Sequence, residues 1–112
     1  MADPNALYDE ADKLKSAGDL AGAAAKLDEA LSIDDDYALG HAAMAVVQQK
    51  LGEHGKAIEH AQRVCELEPN DAFSYTALSV TYQRAYAGTN DTSYIQKAED
   101  AMAKSRMIEA GG

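Results

Sequence analysis

Apolar residues recur three and four positions apart along most of this chain, the spacing of one face of an α-helix. The pattern is clearest between Tyr37 and Asn70. Met44, Val47 and Leu51 make one stripe, and Ala57, Ile58, Ala61, Val64, Cys65 and Leu67 make the next. Between them lies Leu51-Gly52-Glu53-His54-Gly55-Lys56. Gly52 can take the left-handed backbone angle that ends a helix, because it has no Cβ to clash. Glu68-Pro69-Asn70-Asp71 stops the second stripe, since proline disfavours helix in the residue before it. Asp71 is then placed to cap the next helix by accepting a backbone N–H. The stretch predicts two amphipathic helices joined by a tight turn.

The rest of the chain repeats this unit at a shift of 34 residues. Gly18 falls on Gly52, Ala23 on Ala57, Ala11 on Ala45 and Ile33 on Leu67. One shift further, Ala38 falls on Ala72, Met44 on Leu78, Val46 on Val80 and Gln49 on Gln83. The first unit spans about Asp3–Asp36, with helices near Pro4–Ala17 and Leu20–Ile33. The second is Tyr37–Asn70, and the third runs from Asp71 to about residue 109, opening with a helix near Ala72–Ala87. A unit of this size cannot bury its apolar face alone, so neighbouring units must stack.

This pattern resembles the tetratricopeptide repeat, a 34-residue helix–turn–helix unit with a bulky residue, Leu, a small residue and an aromatic in its first helix, and Ala, a large residue and a closing Pro in its second. Tyr75, Leu78, Ser79 and Tyr82 match in the third unit. Met44-Ala45, Gly52, Ala57 and Pro69 match in the second, where His41 and Gln48 replace the bulky and aromatic members. Leu7, Ala11, Leu14, Gly18, Ala23, Leu27 and Ala30 match in the first, where Asp35 stands at the proline position. The resemblance implies an all-α, right-handed α–α superhelix of three repeats forming a single domain over 1–112.

The third unit departs from the pattern. Turn formers dominate Ala87-Gly88-Thr89-Asn90-Asp91-Thr92-Ser93, and the helical stripe resumes with Tyr94, Ala98, Ala101, Met102, Ser105 and Ile108. Aligning Ala98 with Ala57 needs seven extra residues, which predicts a lengthened inter-helix loop capped by Asp91 or Thr92. No polar-faced extra helix closes the array, as repeat arrays usually require. Met102, Met107 and Ile108 are therefore candidates for an apolar outer face that self-associates. The final Gly-Gly reads as a helix stop.

Composition narrows the function classes. At 112 residues, 46% hydrophobic and 26% charged, with much of the apolar share alanine, the chain reads as one soluble domain of closely packed helices. Its net charge of −9 and lack of a basic run argue against nucleic acid, which needs cations to displace counterions from phosphate. The same balance argues against an anionic membrane surface. No apolar run approaches the roughly 20 residues that span a bilayer. Met1-Ala2-Asp3-Pro4-Asn5 lacks a signal pattern. With Cys65 the only cysteine, the expectation is a reduced cytoplasmic protein without an internal disulfide.

Tests for chemistry return little. Cys65 lies in an apolar stripe and reads as a small buried hydrophobe. His54 and His60 are not one helical turn apart, and no cysteine pair accompanies them, so no metal is expected. Asp34-Asp35-Asp36 lacks the alternating ligands and central glycine of a calcium loop and reads as a turn and cap. Asn90-Asp91-Thr92 fits the glycosylation pattern, which needs a secreted context. No nucleophile–base pair or phosphate loop emerges. Neither a cofactor nor catalysis is expected.

The resemblance places a binding surface on the concave side, lined by the first helix of each unit. Its inner positions include Tyr8, Asp12 and Lys15 in the first unit, with Asn5 and Asp9 beside them. The second unit supplies Leu39, Ala42, Val46, Gln49 and Lys50, and the third Phe73, Thr76, Val80, Gln83 and Arg84. Tyr8, Leu39, Val46, Phe73 and Val80 form an apolar strip. Lys15, Lys50 and Arg84 suit carboxylates, and the amides of Gln49 and Gln83 can pair with a peptide backbone. The alternative for the apolar members is plain packing between units, and for the cations a favourable place near helix C-termini. The expected partner is a peptide or helix of another protein, with self-association as the alternative. Chaperone-binding members hold a C-terminal carboxylate with Lys, Asn and Arg, where this chain has Tyr8, Asp12, Ala43, Phe73 and Ala77, so chaperone tails are not expected partners.

Overall fold

The computed structural model describes residues 3–111. They form six helices: α1 Pro4–Ser16, α2 Leu20–Ile33, α3 Ala38–Lys50, α4 His54–Leu67, α5 Ala72–Thr89 and α6 Ser93–Gly111. Sequential helices pair into three hairpins, and α2 and α4 then carry the next hairpin through α3 and α5. Local chemistry sets the starts. The carboxylates of Asp3, Asp19 and Asp71 accept the backbone N–H of Asn5, Gly22 and Phe73, each cap worth about 1 kcal/mol. Asp34 accepts the N–H of Asp36 in the turn before α3, so that acidic run serves as a turn.

The first two hairpin turns are copies of each other. Gly18 and Gly52 have φ of 89° and 81°. Behind each glycine the N–H of Asp19 or Glu53 reaches back to Leu14 or Gln48 at 2.8 Å. That is the Schellman closure, which satisfies carbonyls the helix end would otherwise leave unpaired.

Small residues let the two helices of a hairpin approach. Ala11, Ala45 and Ser79 occupy one register on the first helices and Ala23, Ala57 and Ala98 another on the second, all buried. In the third hairpin the Ser79 hydroxyl donates to the Ala98 carbonyl at 2.7 Å, so a polar atom is accommodated at the crossing. The core divides along the stack. One cluster joins Ala11, Ala23, Leu27 and Leu31 to Met44 and Val47; the other joins Ala45, Ile58, Ala61 and Cys65 to Leu78, Tyr82 and Ala98. Burying side chains such as Leu27 and Met44 contributes about 1.5–3 kcal/mol each.

The seven extra residues of the third unit lie elsewhere than expected. The turn Asn90–Thr92 is no longer than the other two. Five of the extra residues extend α5 and two extend the start of α6. Gly88 and Thr89, read in isolation as turn formers, are helical. Gly88 leaves room for the His54 ring of the previous unit, where a Cβ would overlap the ring. The Thr89 hydroxyl bonds the Ala85 carbonyl at 2.7 Å. Asn90 then ends the helix at φ 62°, with its N–H on the Tyr86 carbonyl. Asp91 accepts from the Ser93 N–H and hydroxyl, which hold its carboxyl below the usual range.

A histidine pair bridges α3 and α4. Buried His41 donates from Nε2 to the Asp35 carbonyl at 2.7 Å, which leaves its Nδ1 as an acceptor for His60 Nδ1–H at 3.0 Å. Burial, then the neighbouring His41, push the His60 pKa below the ordinary value, against an opposing pull from Asp28 and Glu59. Arg63 sits nearby but is engaged by Asp35, Asp36 and Glu66. The native state therefore takes up the His60 proton at lower pH than the unfolded chain. Stability is full above about pH 6.5 and falls as pH drops below it. The urea midpoint is expected to decrease from pH 7 to pH 5, with a shallower decrease in His60→Asn. An identical pH slope in that variant would contradict the assignment.

Candidate functional site

A concave, mostly apolar feature lies between α3 and α5, the first helices of the second and third units. It is a groove of about 480 Å³. Leu39, Ala42, Val46 and Gln49 form the α3 wall, and Phe73, Thr76, Ala77, Val80 and Arg84 the α5 wall. Ala45, Ala61 and Val64 line its floor. The walls are apolar yet accessible: Phe73 is 75% exposed, Leu39 56%, Val46 43% and Val80 38%. These values separate them from core residues such as Met44 and Val47 on the same helix.

The ends of the groove differ in charge. Glu68 and Asp71 lie at the end beside Phe73, and Arg84 lies toward the other. Arg84 lies eleven positions beyond Phe73 on α5, a span of about 16 Å. Among the described residues neither Glu68 nor Arg84 forms an ion pair. Asp71 is partly occupied, since it caps α5 and accepts from the Ser74 hydroxyl at 3.0 Å. The Thr76 hydroxyl is shared with the Ala72 carbonyl and Ser105. Gln49, half-buried in the wall, offers both a donor and an acceptor.

Eight expected site residues thus come together: Leu39, Ala42, Val46, Gln49, Phe73, Thr76, Val80 and Arg84. The other five do not line this groove. Tyr8 packs edge-to-face on Tyr37 at 6.3 Å, and the Tyr37 hydroxyl donates to Asn5, tying the first unit to the second. Asp12 and Lys15 pair with each other at 3.7 Å. Lys50 is exposed outside the lining, and Gln83 turns to Ser79 and lines a different trough. Sequence reasoning misses Glu68 and Val64. Along the chain Glu68 reads as part of a helix stop and Val64 as part of an apolar stripe. Only the angle between α4 and α5 brings both to the groove.

The second trough, of about 540 Å³, lies between α5 and α6. The residues expected on one outer face are dispersed here. Met102 lines the trough, and Met107 is 67% exposed outside it. Ile108 is half-buried, one turn beyond Ala101 and Ser105 on the side of α6 that faces α5.

Among the described residues no three His, Cys, Asp or Glu side chains cluster as a metal site. Burial, with Asp71 and Glu66 adding to it, pushes the Cys65 thiol up to about 11, and its S–H faces the Ser74 carbonyl. A thiol in that state is a weak nucleophile. No described helix is long and apolar enough to cross a membrane.

No protein-family model and no curated protein matches the chain. Solved structures do. MamA superposes with a TM-score of 0.80 at 21% identity, over 97% of this chain and 60% of that one. TTC0263, a TPR protein of Thermus thermophilus, gives 0.78 at 19% identity, over 94% and 56%. The TPR2B domain of yeast Sti1, solved as a pHsp70 complex, gives 0.64 at 17% identity, over 93% and 96%. The chain spans less than two-thirds of the length of the first two. Its fold is the tetratricopeptide-repeat superhelix, and its six helices are three such repeats.

Since Phe73 is exposed, Phe73→Ala is expected to change the unfolding free energy by less than about 0.5 kcal/mol. A loss of about 3 kcal/mol or more in urea denaturation would instead place the ring in the core.

Proposed function

We propose that this chain is a protein-interaction module that holds a segment of another protein in the α3–α5 groove. The observation that carries this reading is the accessible apolar wall of Leu39, Val46, Phe73 and Val80, flanked by unlike charges. Large apolar side chains held at a concave surface lose water when a ligand covers them, and this drives association. Neighbours of the same fold include one captured with a chaperone peptide, which supports a protein partner in general terms.

The groove's chemistry defines the ligand further. Apolar side chains fill the middle. An acidic group pairs with Arg84 at one end and a basic group with Glu68 at the other. At about 3.3 Å per residue, an extended segment of about five residues covers the distance, and a helix needs three turns. Lys15 and Lys50 drop out of the ligand contacts, which confines acidic specificity to Arg84. A peptide library panned against the chain should yield sequences with an apolar centre and opposite charges at its two ends. Phe73→Ala should weaken the selected peptide about tenfold or more, and Arg84→Glu should shift the preference away from acidic residues. Enriched peptides indifferent to both substitutions would overturn the assignment.

Chaperone tails fit this surface poorly. The five positions where clamp residues are expected carry Tyr8, Asp12, Ala43, Phe73 and Ala77. No cation stands among them, and a carboxylate near Asp12 meets like charge. A peptide ending in a chaperone C-terminal sequence should give no saturable signal in calorimetry at micromolar concentrations. Saturation there would refute this part of the reading.

A further inference from the structure

We propose that a second copy of this chain docks head to tail, placing its α1 in the trough between α5 and α6. This contact is separate from the α3–α5 groove and goes beyond the reading above.

The argument rests on repeat register. Inside the molecule each second helix carries the next hairpin on three positions: Ala24, Leu27 and Leu31 on α2, then Ile58, Ala61 and Cys65 on α4. The same register on α6 holds Glu99, Met102 and Arg106. All three line the open trough, with the exposed Ile95 beside them. Two of three apolar positions have become opposite charges two turns apart on one helical face.

The incoming helix changes in a matching way. On α3 the register facing the previous unit is Gly40, Met44 and Val47; on α5 it is Ser74, Leu78 and Thr81. On α1 that register is Ala6, Glu10 and Lys13, all exposed. Two observed contacts fix which positions meet. Leu31 abuts Gly40, and the Cys65 thiol faces the Ser74 carbonyl. Carried to the end face, this register sets Arg106 against Ala6 of the second copy, one turn from its Glu10. It also sets Glu99 against that copy's Lys13. Both ionic contacts join unlike charges, and the reverse register joins like charges. Met102 lies between them and packs on the aliphatic stems. Glu10 already reaches Lys26 of its own chain at 3.4 Å, so Arg106 would complete a three-charge array. Such a contact is heterologous, so each copy keeps one donor and one acceptor face and association continues beyond a dimer.

Sedimentation velocity on the whole chain tests this at about 150 mM salt, where repulsion between the acidic copies is screened beyond about 8 Å. The sedimentation coefficient should rise with concentration. It should stay monomeric in Glu99→Lys/Arg106→Glu and in Glu10→Lys/Lys13→Glu. Mixing these two variants restores both unlike pairings and should restore the rise. Phe73→Ala, which touches only the α3–α5 groove, should leave it unchanged. A monomer at every concentration, association that survives either reversal, or a mixture that stays monomeric would each overturn the proposal. Loss in Phe73→Ala would assign the second copy to the groove instead.

Discussion

The close crossing of two helices on small side chains is the constraint on which the structure depends. Ala11 and Ala23, Ala45 and Ala57, and Ser79 and Ala98 are buried at matching places in the three hairpins. A larger side chain there would splay a hairpin and misplace every unit stacked on it, because interiors at close packing have no spare volume. Repetition of that crossing gives each hairpin the same shape. The same shape repeated gives a curved stack, and the curve leaves α3 and α5 with exposed apolar walls facing a shared groove. The site is thus a consequence of hairpin packing and does not require its own loop.

Much of this was legible in the chain. Period-3.6 stripes, Gly18 and Gly52 at equal offsets, and Asp71 ahead of the third unit locate α1, α2 and the start of α5 to within a residue or two. These are local signals, carried by backbone sterics and caps, and they survive without knowledge of neighbours. The end of α5 was not legible for the opposite reason. Gly88 and Thr89 have turn-like propensities, and what makes them helical is distant: the His54 ring fills the space that Gly88 leaves. Tertiary contact outweighed local preference there.

The groove shows the same division. Eight of the expected residues line one groove, since a repeat position projects in a predictable direction. Tyr8 and Lys15 hold equivalent positions yet engage Tyr37 and Asp12, so contacts particular to the first unit take up side chains that the repeat position alone would present to a groove. Glu68 enters only through the angle between helices. The charge asymmetry at the groove ends therefore becomes visible only with the fold.

The most direct test of the central claim is an amide chemical-shift map of the chain titrated with a peptide carrying an apolar centre, an acidic residue at one end and a basic residue at the other. The account predicts saturable shifts concentrated on the α3 and α5 walls, at Leu39, Val46, Phe73 and Val80, with little change on α1 and α6. Shifts confined to the α5–α6 trough or to the outer faces of α2 and α4 would contradict it.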